Sequence, residues 1–320
     1  MTGIGERLEG AAYAAGWGLV RALPESVARV AFRSAADLAA GRNGPGVRQL
    51  RRNYARVVPH AGPAELEELV RAGLRSYARY WRETFRLQSM DHKAIYRRVD
   101  EVVVGRPLVD AALERGKGLI LALPHTGNFD VSGIWLVGHS GRFTTVNERL
   151  RPESLYQRFV TYRESLGFEI LPTSGTDVGP YRLLMERLRQ NKVVCLLGDR
   201  DLSRRGVPVT FFGEQTRMPV GPARLAAVTG AQLLIVDNSF TEDGWGLRIH
   251  TPIAVHGRDD VPAATQRMAD GFAADIAANP ADWHMMQKLW LADLSEERRE
   301  ALRTEDDEPE EARESAQEPR

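Results

Sequence analysis

The sequence has few of the features that mark secreted, membrane-spanning or zinc-binding proteins. Cysteine occurs once in 320 residues, at Cys195, so no intrachain disulfide can form and a reducing compartment is the natural setting. No apolar run approaches the roughly 18 to 20 residues that cross a bilayer, and no basic segment followed by an apolar stretch begins the chain. The seven histidines show no pairing at zinc-ligand spacing. We therefore expect a soluble or peripheral protein that binds no metal.

Charge is balanced overall but unevenly distributed along the chain. Lysine is absent from residues 1–60, where 9 Arg against 4 Asp/Glu give a net charge of +5. Residues 295–320 hold 11 Asp/Glu against 5 Arg, a net charge of −6, and are predicted to be a disordered tail. The basic N-terminal part fits an anionic membrane surface, although an ordinary solvated set of arginines is the alternative.

Helical periodicity dominates the first part of the chain, and strands alternate with helices in the second. The pattern predicts an α/β fold, a central mixed sheet flanked by helices, with an N-terminal helical membrane-docking block. We predict a single domain over residues 1–294, with a helical, membrane-facing part at 1–92 and an α/β catalytic part at 101–294. The predicted strands are 101–104, 118–123, 143–147, 168–171, 192–197, 207–211, 232–239 and 246–255. The predicted helices are 5–23, 24–38, 47–58, 63–87, 107–115, 128–138, 152–166, 177–190, 219–229, 261–278 and 280–290.

A strand end, a histidine and a helix start come together in residues 119–130. The apolar run 119–123 predicts a buried strand, and Asn128 suits the N-cap of the helix that follows. Asp130 falls in the first turn of that helix, so its side chain can meet His125 across the turn. An imidazole held in this way could take a proton from a hydroxyl, and helix N-terminal amides could hold an oxyanion. A loop histidine beside a carboxylate that serves the helix dipole is the alternative.

The pattern His-x-x-x-x-Asp after a buried strand resembles the signature of the glycerolipid and lysophospholipid acyltransferases. The run His-Thr-Gly-Asn-Phe-Asp is similar to the bacterial lipid A lauroyl/myristoyl acyltransferase family, and above all to its actinobacterial branch, the phosphatidylinositol mannoside acyltransferases. Four further clusters resemble the same family. They are Asn147-Glu148-Arg149 with Tyr162 to Gly167, Leu197 to Gly206, Phe211 to Gly213 with Arg217 to Ala226, and Asn279 to Trp290.

The resemblance implies a set of site residues. It implies that His125 is the general base, that Asp130 orients its ring, and that Asp199 assists His125 or holds the acceptor hydroxyl. Backbone donors near Gly127 would hold the oxyanion. Arginines suit the phosphates of a coenzyme A donor or of an acceptor lipid. The substrate-binding candidates are Glu148, Arg163, Arg204 and Arg205.

The resemblance also implies an activity and a location. We expect a monomeric, peripheral acyltransferase at the cytoplasmic face of the cell membrane, with no cofactor and no nucleic-acid partner. It would move a long acyl chain from acyl-CoA, its co-substrate, to a glycolipid hydroxyl, in particular on phosphatidylinositol mannoside. An acyl carrier protein donor or another lipid acceptor stays open.

Two functions from other classes also fit parts of the sequence. Asp199-Arg200-Asp201 matches the Asp-x-Asp metal motif of nucleotide-sugar glycosyltransferases. The N-terminal helices would also fit a lipid-binding scaffold without catalysis.

Overall fold

A six-stranded mixed sheet forms the centre of the protein. The computed structural model describes residues 16–149, 153–173, 179–201 and 206–306. The strands are β1 Leu119–Leu123, β2 Thr144–Asn147, β3 Glu169–Pro172, β4 Val193–Leu197, β5 Val207–Phe211, β6 Glu214–Met218, β7 Gln232–Phe240 and β8 Trp245–Ile249. The sheet order is β3-β2-β4-β1-β7-β8, with only β8 antiparallel to its neighbour, and β5 with β6 forms a separate hairpin.

Helices cover both faces of this sheet, as predicted. The described helices are α1 (residues 16–22), α2 Glu25–Arg42, α3 Pro45–Val57, α4 Pro63–Arg86, α5 His92–Asp100, α6 Arg106–Glu114, α7 Phe129–Ser140, α8 Glu153–Ser165, α9 Pro180–Arg189, α10 Gly221–Thr229, α11 Val261–Ala278 and α12 Glu296–Asp306. None of the helices in the described residues is long and apolar enough to cross a membrane.

Strand β1 is apolar at every position because helices cover both of its faces. Ile120 and Ala122 pack into one core with Phe272 of α11, while Leu121 packs into the other core with Trp135 of α7. Burying one such aliphatic side chain contributes about 1.5–3 kcal/mol. The strand is therefore fixed from both sides, which sets the position of the residues that follow it.

One predicted helix, over residues 280–290, is wrong. A 3₁₀ turn spans Pro280–Asp282, and Trp283 then pairs with Thr126 in an isolated antiparallel bridge. The backbone polar groups here bond to other elements instead of closing helical turns. The Asn53 side-chain amide, for example, donates to two carbonyls of this segment, at 2.7 and 3.0 Å. We call residues 280–290 the closing segment.

The predicted strand at 101–104 is also wrong, because these residues form a turn after helix α5, which was not predicted. Only Val104 pairs, in an isolated bridge with Arg248. Helix α5 is capped by the Asp91 carboxylate, which accepts the backbone amides of Lys93 and Ala94.

Strand β6 and helix α12 were not predicted. The turn Phe212-Gly213 has positive φ at both residues, 49° and 77°, and this hairpin geometry pairs a polar β6 with β5. Helix α12 occupies residues that were expected to belong to a disordered tail, and its Leu302 is buried. The rest of that tail, 307–320, lies outside the described residues, as do residues 1–15, which include the first part of the predicted helix 5–23.

Candidate active site

The site forms where two adjacent parallel strands end. β1 and β4 pair in register as far as Leu123 and Leu197, so the residues that follow them leave the same edge of the sheet. The Gly198 amide donates to the Leu123 carbonyl at 2.8 Å and keeps the two strand ends together. In α/β folds with parallel sheets, ligands bind at this edge, beyond the carboxyl ends of the strands. His125 and Asp199, each two residues beyond a strand, therefore meet.

Asp199 binds both the ring and the backbone of His125. Its Oδ1 lies 2.6 Å from the imidazole Nδ1, and its Oδ2 accepts the His125 amide at 3.0 Å. The Trp283 indole Nε1–H also donates to Oδ2, at 3.0 Å. Burial alone would raise the pKa of this fully buried carboxyl. The charge of His125 and the donated hydrogen bonds outweigh burial and hold the pKa of Asp199 below its ordinary value.

The carboxylate fixes which imidazole nitrogen is available for chemistry. An ionised carboxylate only accepts hydrogen bonds, so Nδ1 carries the proton that faces Asp199, and Nε2 of the neutral ring is an acceptor. No side chain or amide of the described residues bonds to Nε2, and the His125 side chain is 30% exposed. The ring is thus anchored on one side and accessible on the other, as a proton acceptor must be.

The prediction that Asp130 orients the His125 ring is corrected by this geometry. Asp130 is buried in the first turn of α7, but its Oδ1 accepts Arg163 Nε at 2.9 Å and its Oδ2 accepts the Tyr162 hydroxyl at 3.2 Å. Arg163 also donates to Asn147 Oδ1 at 2.5 Å. Burial would lower the pKa of Arg163, yet the charge of Asp130 raises it above its usual range. Asp130 therefore anchors Arg163 of helix α8.

The backbone amides of Thr126 and Gly127, two of the predicted oxyanion donors, are engaged within the protein. The Gly127 amide donates to Asp282 O at 2.9 Å, and the Thr126 amide donates to Pro124 O at 2.8 Å. Gly127 has a φ of 53°, and a Cβ there would lie 2.6 Å from Asn238 O. Only glycine fits this approach. These contacts fix the turn after β1 and with it the position of His125.

The closing segment belongs to one of the clusters that resemble the family, but the sequence did not predict its contacts with His125 and Asp199. His284 donates its amide to His125 O at 2.9 Å, next to the bridge that carries Trp283. The His284 Nε2 lies 2.9 Å from Ser76 Oγ, which donates to Asp282 Oδ1 at 2.7 Å. Burial and the nearby charge of His125 lower the pKa of His284 to about 3, so this ring stays neutral. The Pro-x-x-Trp pattern was the only available signal.

A narrow apolar cavity of about 60 Å³ lies between α7 and the sheet. Five neighbouring strands line it through Thr145, Cys195, Leu121, Val236 and Leu247, from β2 across to β8. Four interstrand spacings of about 4.8 Å give a width of roughly 19 Å. We call this space the acyl-sized cavity. The name refers to this width alone.

A second, polar cleft of about 520 Å³ lies beside the first. We call it the polar groove. Glu148 is exposed and lines it, as do Arg200 and residues of the closing segment and of α12. Glu148 is thus placed beside the cavity, whereas Arg163 lines the cavity itself. Arg204 and Arg205 lie outside the described residues. Four basic residues that were not predicted as site residues also line the groove: Arg200, Arg217, Lys288 and Arg298.

The geometry does not match the Asp-x-Asp motif of a metal-dependent glycosyltransferase. Asp199 accepts three hydrogen bonds from the protein, and Asp201 Oδ2 accepts the Gly206 amide at 2.7 Å. In the part of the chain that the structure describes, no group of three or more acidic, histidine or cysteine side chains is arranged to hold a metal ion. The two carboxylates therefore serve the fold and His125.

Comparison with known proteins agrees with the motifs. The family model described as bacterial lipid A biosynthesis acyltransferase matches residues 8–292. A phosphatidylinositol mannoside acyltransferase of Mycobacterium tuberculosis (strain CDC 1551 / Oshkosh) is 56% identical over 293 residues, 92% of each chain. A protein of the same name from Mycolicibacterium smegmatis is 53% identical over 302 residues, 94% of this chain and 97% of that one. This chain therefore belongs to the bacterial lipid A biosynthesis acyltransferase family.

Proposed function

We propose that this protein transfers a long acyl group from acyl-CoA to a hydroxyl of a phosphatidylinositol mannoside. The observation that carries the proposal is a histidine, oriented by a buried carboxylate, two residues beyond Leu123, which ends β1 and lines the acyl-sized cavity. The acceptor is supported by the names of relatives that are 53–56% identical over more than nine-tenths of the chain.

In the proposed mechanism, Nε2 of His125 is the general base. It takes the proton of the acceptor hydroxyl as that oxygen attacks the thioester carbonyl, and the imidazolium that forms is stabilised by Asp199. Collapse of the tetrahedral intermediate breaks the carbon–sulfur bond, and the thiolate takes the proton back from His125. Ester and free thiol are the products. The low pKa of Asp199 supports this role, because the carboxylate stays ionised wherever the base is active.

The acyl-sized cavity supports a long-chain donor. Its floor is the apolar face of five strands and its roof is α7, so a chain lying across the sheet would lose all contact with water. Each buried methylene contributes about 0.8 kcal/mol, so the cavity favours long chains strongly over short ones. Asp130, Arg163 and Asn147 also line it and are bonded to one another, so they add polarity without an unpaired charge.

Peripheral association with the cytoplasmic face of the membrane is part of the same proposal. Helix α2 exposes Val27, Val30 and Leu38, at 48, 65 and 54%, on one side of the helix. Arg29 and Arg33 are exposed beside them. Apolar side chains flanked by arginines favour an anionic lipid surface. We call Val27, Val30 and Leu38 the α2 face.

Replacing His125 by Ala is expected to abolish transfer of radiolabelled palmitate from palmitoyl-CoA to a phosphatidylinositol mannoside. The wild type should work equally well in EDTA. His139→Ala is the matched control, because His139 lies in α7 and bonds to Asp110, away from the site. Full activity of His125→Ala would refute the mechanism, and EDTA-sensitive consumption of a nucleotide sugar would favour a glycosyltransferase.

Replacing Asp199 by Asn should lower kcat by about 10²- to 10⁴-fold, since the ring loses its orienting carboxylate. The melting temperature should change little, because Asn has the same shape. Asp130→Asn should act mainly on stability, since Arg163 is left buried without its partner, a loss of roughly 3–5 kcal/mol. Thermal denaturation and saturation kinetics of both variants test this. A wild-type kcat for Asp199→Asn would contradict the assignment.

A larger residue in the acyl-sized cavity should shorten the preferred chain. Leu247→Trp narrows the cavity at β8, and each expelled methylene should cost about fourfold in kcat/KM for palmitoyl-CoA. The ratio of decanoyl to palmitoyl transfer measures the effect. Leu247→Met keeps the volume and should keep the preference. An unchanged ratio in Leu247→Trp would place the acyl chain elsewhere.

A charge on the α2 face should weaken membrane binding. Val30→Glu loses the burial of a valine and adds a repelling charge, so co-sedimentation with anionic liposomes should fall about tenfold. Val102→Glu is the control, because Val102 is 49% exposed but lies away from α2, in the turn after α5. Equal loss of binding in both variants, or in neither, would argue against this docking face.

A further inference from the structure

The polar groove concentrates positive charge from three separate parts of the chain. Arg200 follows β4, Lys288 belongs to the closing segment, and Arg298 lies in α12. In the described ranges the structure records no hydrogen bond or ion pair for these three side chains. Two acidic side chains, Glu148 and Asp201, also line the groove. Among the described residues, the four basic and two acidic side chains that line the groove give a net formal charge of +2.

The groove and the acyl-sized cavity adjoin at the ends of two strands. Asn147 lines the cavity, and the next residue, Glu148, lines the groove. Leu197 at the end of β4 lines the cavity, and Arg200 lines the groove three residues later. The chain thus passes from the cavity to the groove at the ends of two different strands, β2 and β4. A single molecule with an apolar chain and an anionic head would fit across both.

The donor has this chemistry. Coenzyme A joins the acyl thioester to a diphosphate and a further phosphate on its ribose, whereas the acceptor lipid carries one phosphodiester. Arginine and lysine bind phosphate through charge-assisted hydrogen bonds. Several unpaired cations close together favour a ligand with several negative charges over one with a single charge. The charge of the groove therefore matches the donor head better than the acceptor head.

We propose that the polar groove binds the phosphate groups of the coenzyme A head, and that Arg298 of α12 is a specificity-determining residue for this donor. The inference rests on the proposed function and adds the position of the donor head to it. The family model ends at residue 292, so Arg298 lies beyond the matched region. A helix appended to the matched core thus forms one wall of the donor site.

Calorimetric titration of the full-length protein with free coenzyme A tests the proposal without turnover. Arg298→Ala should weaken binding about fivefold, the upper end for a solvent-exposed ion pair, and Arg298→Lys should restore most of the affinity. Pantetheine, which lacks phosphate, should bind all three proteins equally. Arg189→Ala is the matched control, because Arg189 is exposed at the end of α9 outside the groove. Melting temperatures check that the variants fold.

The outcomes separate this inference from the proposed function. Unchanged coenzyme A affinity in Arg298→Ala would overturn the inference even if palmitoyl transfer by the wild type proceeds. A raised KM for the mannoside acceptor, with unchanged coenzyme A affinity, would assign the groove to the acceptor head and also overturn it. Coenzyme A binding that depends on Arg298 in a protein without transferase activity would refute the proposed function but leave the donor site standing.

Discussion

The buried carboxylate of Asp199 is the constraint on which the site depends. It has no exposed surface, so its charge must be balanced by partners, and those partners come from two distant parts of the chain. An unpaired buried charge costs several kcal/mol, and this cost forces the end of β1 and the closing segment into one arrangement around Asp199. The same arrangement leaves Nε2 of His125 without a hydrogen-bond partner among the described residues. One hydrogen bond, between Asp199 and His125, thus stabilises the buried charge and also prepares the imidazole to accept a proton.

The helical part of the chain supports that arrangement from outside. Asn53 and Tyr54 of α3 donate to carbonyls of the closing segment, and Ser76 of α4 bonds to Asp282 and His284 within it. Because residues 283–290 of the closing segment form no helix, these side chains supply the hydrogen bonds that a helix would have made internally. The N-terminal helices therefore contribute to the geometry of the site, besides their proposed role at the membrane.

The residues near His125 show how far local sequence reasoning reaches. The strand, the N-cap at Asn128 and the helix after it were predictable, because each depends on neighbours within a few positions. The partner of the imidazole was not. Asp130 is closer in sequence, but its position on α7 directs it toward Arg163 of α8. Asp199, 74 residues away, reaches the ring because β4 pairs with β1.

The sequence by itself determined the mixed α/β sheet, the His125 turn and the family, since these follow from apolar periodicity and contiguous motifs. Tertiary structure alone decided which carboxylate serves the histidine, that the closing segment forms no α-helix, and that α12 forms a wall of the polar groove. The physical reason is that local patterns fix backbone conformation. Partnership between buried charges depends instead on strand order and helix packing, which join residues far apart in the chain.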